Sequence, residues 1–420
     1  MRRGATWAAV CAVIGFGVMQ VADAAEPLPA EAAAVAVVTQ RGGGVEYDAA
    51  GHVAKIDLAD RPATDADMKL IAALPKLVAL EVWGAEISNA GIESLSAASG
   101  LEQLVLENTD ITDAGGRHLE KLQKLRVLNL RRSSNVSDAI LQSVAKIEGL
   151  EQLVLLYNNF TDAGLAHLEP LQKLRVLDLR GCALISDAGL VHLPKIASLE
   201  RVKLRCPSVT DAGLAHVAAL PKLRGFAVED GQVSDAGLAP FAGKTDIDEI
   251  NVMRTFIGNE GLAHLAGLKK LKRLELRGTL IGDAGLVHVG GLSNLVLLDL
   301  AETRIGDDGV KHLAGLAKLG DLDLWDTRVG DTAMETVGGL ESLGKLNLQN
   351  TRVTDAGIAK LTKLAKLKSL TVSGTKVTDA ALESIATLPA LQSLVAAFTP
   401  LTDAGVAAFK KDRPTVIVTR

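Results

Sequence analysis

From Leu77 to Leu391, apolar positions return every 24 residues and occasionally every 25. The anchors run Leu77, Leu101, Leu125, Leu150, Leu174, Leu199 and Leu223, then Ile247, Leu271, Leu295, Leu319, Leu343, Leu367 and Leu391. Each repeat reads roughly L-x-x-L-x-L-x-x-T-x-I-T-D-A-G-L-x-H-L, as in the stretch that opens at Leu271. Two periodicities alternate inside it. Leu274-Glu275-Leu276 has the period of a short strand, burying two leucines and exposing the residue between them. After Ile281 the spacing becomes helical, with Leu286, Val289 and Leu292 on one face. A strand and a helix recurring at this interval predict an α/β solenoid of about 15 units whose strands stack into a parallel sheet. Such a fold offers surfaces rather than an enclosed catalytic pocket.

The pattern also predicts the boundaries. Arg2 and Arg3 precede an apolar run from Trp7 to Val21 that closes on Ala22-Asp23-Ala24, which marks residues 1–24 as a secretory signal peptide. The run is shorter than the roughly 20 residues a membrane span needs. Residues 25–52 read as an N-terminal cap, with a helix from Ala30 to Gln40, a glycine stop at Gly42-Gly43-Gly44 and a strand at Val45–Tyr47. Repeats fill 53–391, and 392–420 hold the last repeat and a C-terminal cap whose final strand is Thr415–Thr419. The mature chain is expected to be exported, periplasmic or secreted, with no membrane span.

Every repeat places Asp or Asn at the strand-to-helix junction, among them Asp65, Asn89, Asp113, Asp138, Asp162, Asp283 and Asp403, and never Glu. That restriction predicts a short side chain reaching backbone donors, read here as a helix N-cap. A calcium ladder would need glycine-rich nonapeptides, which are absent.

These residues resemble the leucine-rich repeat family over about residues 53–413. The phrase Phe160-Thr161-Asp162-Ala163-Gly164-Leu165-Ala166-His167-Leu168 is similar to the cysteine-containing subtype found in exported bacterial repeat proteins and in F-box receptors. The subtype's cysteine or asparagine slot is mostly threonine here, at Thr109, Thr279, Thr303, Thr327, Thr351 and Thr375, with Cys182 as the exception. The resemblance implies a horseshoe with a concave parallel sheet, convex helices and a binding role. No F-box segment precedes the repeats, so an F-box-like receptor without that module is the weaker alternative.

Composition narrows the chemistry. Formal net charge is -5, and removing Arg2, Arg3 and Asp23 leaves 43 basic and 49 acidic residues, a net of -6. No global basic field draws the chain to nucleic acid. Seven of the eight histidines share one helical position, but neighbouring helices stand roughly 8–10 Å apart, too far to share a zinc ion at about 2 Å. Gly243-Lys244-Thr245 brushes against a phosphate loop, yet five residues separate its glycines where four are needed. No H-E-x-x-H, G-x-S-x-G or paired-cysteine motif occurs, so the expectation is a non-enzymatic protein without metal or cofactor. Cys182 and Cys206 lie on successive repeats at a spacing that permits a disulfide.

Candidate binding residues are therefore sought on the concave strand positions. These carry a basic run of Arg131, Arg180, Arg201, Lys203 and Arg205 beside the outward apolar residues Val105, Val127, Val154, Leu156 and Val176. Asp299, Asp321, Asp323 and Trp325 follow. Arginine flanking an apolar patch suits a protein partner. The alternatives are that valines merely stiffen the strands while the arginines pair with Glu107 or Asp178, or that the face takes an envelope carbohydrate by stacking on Trp83 and Trp325.

Overall fold

The computed structural model describes residues 28–420. The expected signal peptide lies outside the described residues. Contacts divide the chain into two compact units: one runs up to Lys203 and takes in Leu220–Lys222, and the other holds Leu204–Ala219 with Leu223–Arg420.

The first unit opens with the cap helix Ala32–Gln40 and strand β1 (Gly44–Tyr47), which pairs antiparallel with β2 (Val53–Pro62). Glu31, 2% exposed, joins these pieces by accepting from the backbone N–H of Val53 and pairing with His52 at 2.9 Å. Parallel strands follow: β3 (Ala79–Trp83), β4 (Gln103–Glu107), β5 (Val127–Asn129), β6 (Gln152–Val154), β7 (Val176–Asp178) and β8 (Arg201–Leu204). The second unit continues with β9 (Gly225–Val228), β10 (Glu249–Asn251), β11 (Arg273–Glu275), β12 (Leu297–Asp299) and β13 (Asp321–Asp323). It ends on β14 (Lys345–Asn347), β15 (Ser369–Thr371), β16 (Ser393–Val395) and β17 (Ile417–Thr419), each parallel to the strand before.

Inward leucines of the repeat strands, as at Leu104, Leu128, Leu153, Leu274 and Leu298, are fully buried. Each such side chain contributes about 2 kcal/mol relative to an exposed one. Short helices cover them, as at Asp283–Val289, where Leu286 and Val289 face inward. The buried threonines turn their hydroxyls back on the strand: Thr279 donates to the Leu276 carbonyl at 2.6 Å and Thr375 to that of Val372 at 2.6 Å. Cys182 fills the same slot, its thiol donating to the Leu155 carbonyl at 3.0 Å, and burial pushes its pKa up to about 11.

The aspartate column does something other than cap its own helix. The N-cap is the preceding Ser, Thr or Gly, and the aspartate is the first helical residue. Its carboxylate reaches forward into the next repeat. Asp138 accepts from the backbone N–H of Thr161 at 2.9 Å and from its hydroxyl at 2.5 Å. Asp162 accepts the same pair from Ser186, and Asp355 the same pair from Thr378. Asn89 serves equally, accepting from the Thr112 N–H and donating to its hydroxyl. This explains the exclusion of Glu, whose extra methylene would overrun the joint. It also explains the glycine that follows two residues after the next repeat's aspartate: a Cβ on Gly164 would lie 2.3 Å from Asp138 Oδ1, and one on Gly309 2.5 Å from Asp283 Oδ1.

Candidate binding surface

Outward strand positions form two columns in each unit. In the first unit one column runs Gln103, Val127, Gln152, Val176 and Arg201, and the other runs Val105, Asn129, Val154, Asp178 and Lys203. The structure thus brings together the outward valines and the basic residues singled out from sequence. It does not leave the valines open. Val105, Val127, Val154 and Val176 are only 1–6% exposed, and of the expected apolar patch Leu156 alone is half-buried.

Paired charges occupy the same region. Arg131 pairs with Glu107 at 3.0 Å, and Arg132 reaches the same carboxylate at 3.1 Å. Arg180 donates to both oxygens of Asp178, at 3.0 and 2.8 Å. Glu107, Asn129, Gln152 and Asp178 are themselves at least nine-tenths buried. The first unit's open face is therefore a floor of valines and amides under paired charges. Arg201 and Lys203 continue that layer, half-buried, at the last strand. One edge of the face holds a strained carboxyl: burial, with the like charges of Asp57 and Glu107, pushes the Glu81 pKa up to about 7.

Sequence reasoning missed Tyr157, which is 45% exposed in this region. It occupies a corner position with φ of 56°, shared by Arg132, Arg254, Glu302, Asp326 and Phe398. The left-handed backbone turns the chain away from the sheet there and swings the side chain outward. The Tyr157 ring lies over Gly181, where a Cβ would sit 2.4 Å from Cδ1, and the Arg132 guanidinium stacks on it at 5.3 Å. An Asn, Gly or Asp at the same position in other repeats was the available signal.

The second unit treats the same positions differently. Glu275, Asp299 and Asp323 are register neighbours and all half-buried. Asp299 is pushed up to about 6, first by burial and then by Asp323 and Glu275 beside it. Next to this column the guanidinium of Arg277 lies 4.2 Å from the centre of the Trp325 ring, above the fully buried Ala301. Arg277 also bonds Glu302 at 3.0 Å. The Trp325 indole N–H is inaccessible and has no hydrogen-bond partner among the described residues. Arg205 belongs to a separate cluster, paired with Asp230 at 2.5 Å, where Arg254 also binds.

Cys182 and Cys206 are both buried and no disulfide joins them, so the bridge considered from sequence is not formed. Among the described residues no three His, Cys, Asp or Glu side chains converge on a point that could hold a metal ion.

A leucine-rich repeat family model matches residues 171–193 and 291–314, one stretch in each unit. With the strand, corner and helix of every repeat, this makes the chain a leucine-rich repeat protein. Among solved structures, an internalin (inlF) of Listeria monocytogenes is similar at 24% identity and a TM-score of 0.56, over 83% of this chain and 98% of that one. A leucine-rich repeat protein of Leptospira interrogans is similar at 18% identity and a TM-score of 0.50, over 84% and 92%. TLR13, solved in complex with ssRNA13, is similar at 17% identity and a TM-score of 0.55, over 80% and 55%. These likenesses establish the fold. No curated protein matches the chain in sequence.

Proposed function

We propose that this chain is an exported, non-enzymatic scaffold that binds a protein partner across the open face of its strands. The observation that carries the reading is the Trp325–Arg277 stack beside the Glu275–Asp299–Asp323 column. None of these side chains serves the leucine core, and tryptophan and arginine over a partly desolvated floor are what binding hot spots favour. In the first unit Arg131, Leu156 and Arg180, with Tyr157 and Arg132, present a comparable mixed layer above the valines. The two internalin-like and Leptospira neighbours are bacterial, in keeping with a leader peptide read from residues 1–24.

A photoreactive residue at exposed Asn350 tests this in the native cell. We expect a discrete protein adduct that Trp325→Ala removes. Adducts unchanged in both Trp325→Ala and Arg180→Glu would sink the assignment.

A further inference from the structure

A second site lies at the margin of the open face, where the strands begin, and takes in the first outward column from Arg273 to Ser393. In the first unit this edge is closed by ion pairs between successive repeats: Arg126 with Glu151 at 2.7 Å and Arg175 with Glu200 at 3.0 Å. The second unit starts likewise, with Arg224 and Asp248 at 3.3 Å. The same position then becomes Lys272, Val296, Gly320, Gly344 and Lys368, and the edge opens into a groove of about 840 Å³.

Neither glycine is demanded by the backbone. Gly320 and Gly344 are absent from the left-handed corners, and a Cβ would meet nothing closer than 3.7 and 3.6 Å. What they supply is room. Val296 and Leu297 form an apolar wall beside them, with Val296 46% exposed. Four cations, Arg273, Lys345, Lys366 and Lys368, and one carboxylate, Asp321, line the groove, a net of +3 in an acidic protein. Lys345 is partly answered by Asp321 at 3.3 Å and Arg273 by Glu275 at 3.2 Å, while the Lys366 and Lys368 ammonium groups join no ion pair among the described residues.

The groove crosses the strands from β11 to β16, five intervals or about 24 Å at the usual strand spacing. An extended chain of about seven residues spans that length.

We propose that this edge groove binds an extended peptide segment of a protein partner in which acidic side chains alternate with apolar ones. The apolar side chains would lie against Val296, Leu297 and the two glycines, and the acidic ones would meet Lys366 and Lys368. This site shares one outward column with the open face but not the Trp325–Arg277 stack, and the two readings fail separately because their variants do not overlap.

The test is selection from displayed heptapeptides in which Asp or Glu alternates with any apolar residue, beside a matched library carrying Lys or Arg, against the mature chain. Fluorescence anisotropy then follows the best-enriched peptide. We expect enrichment from the acidic library alone, and at least tenfold weaker binding by Lys366→Glu with Lys368→Glu. Gly320→Glu with Gly344→Arg, which rebuilds the closed edge of the first unit, should weaken binding equally. Circular dichroism checks that each variant folds, and the lysine pair decides alone if the glycine pair does not. Trp325→Ala should leave affinity within twofold. Equal enrichment from the basic library, affinity untouched by the lysine pair, or loss of binding in Trp325→Ala would each overturn the proposal.

Discussion

Val127, Val154 and Val176 in the first unit stand at the same strand positions as Leu297, Asp299, Asp321 and Asp323 in the second, and the two sets meet opposite fates. The valines are buried, with Arg131–Glu107 and Arg180–Asp178 paired in the same region, whereas the carboxylates remain half-open to water. The difference teaches that apolarity on an outward strand position does not measure availability. What decides is the length and pairing of the neighbouring side chains: long ones that satisfy each other roof the face, and short ones leave it wet. Position on the solenoid is shared; accessibility is negotiated repeat by repeat.

The sharpest way to break this comparison is to place a charge on each floor. Val127→Asp buries an unpaired carboxylate and should cost about 3 kcal/mol or more, whereas Asp323→Val should cost about 1 kcal/mol. Urea unfolding of both variants decides, and equal losses would show that the first unit's roof does not seal its floor. For the same reason Val154→Asp is expected to lower stability, which makes it a poor probe of binding.

The aspartate joints offer a second contrast of smaller size. Asp138 accepts two bonds from Thr161, but Asp283 accepts only the backbone N–H of Gly306, at 2.7 Å. Asp138→Ala should therefore destabilise by about 2 kcal/mol and Asp283→Ala by about 1 kcal/mol. The reverse order in matched urea titrations would contradict the joint described here.

Titration separates the faces further. A carboxyl held above its ordinary pKa binds its proton more tightly in the folded state. The stability it contributes is present below the unfolded value and lost as pH rises through the folded one. For Glu81 that window runs from 4.5 to about 7, and for Asp299 from 3.8 to about 6. Glu81→Gln should thus raise the Tm by about 1–3 °C at pH 8 and change it little at pH 4. Asp299→Asn should reach its full gain at lower pH than Glu81→Gln. The smallest effect belongs to a corner: Phe398, 95% exposed with φ of 57°, should gain about 0.5 kcal/mol on replacement by Gly. A loss on thermal unfolding would assign that ring a contact it does not have here.

The fold was legible because its signals are repeated. One ambiguous Leu-x-Leu is weak, but the same spacing from Leu77 to Leu391 admits one reading, and the cap strands, threonine slot and final strand follow from it. The aspartate column was visible yet misassigned, since its partner lies 23 or 24 residues ahead and a local N-cap explains the same restriction. The valines at 105, 127, 154 and 176 do alternate with buried leucines along their strands, and the pairing of Arg131 and Arg180 with acids was among the alternatives. Their burial was not readable, because it depends on side chains of neighbouring repeats rather than on the residue itself. The corner residues Tyr157 and Arg132 escaped for a related reason: nothing in those side chains announces a left-handed backbone. The edge groove escaped because Gly320 and Gly344 look like turn glycines until their surroundings are seen to be empty.

The aspartate joint also bears on how such a chain changes through descent. The repeats carry both halves of the joint, a carboxylate or Asn amide oxygen for the successor and a Ser, Thr or Gly with its N–H for the predecessor. Deleting or duplicating one 24-residue stretch in the gene re-forms the same joint across the scar. Repeat number is thereby a heritable variable, and the reach of the binding faces can lengthen or shorten without any new side chain being invented.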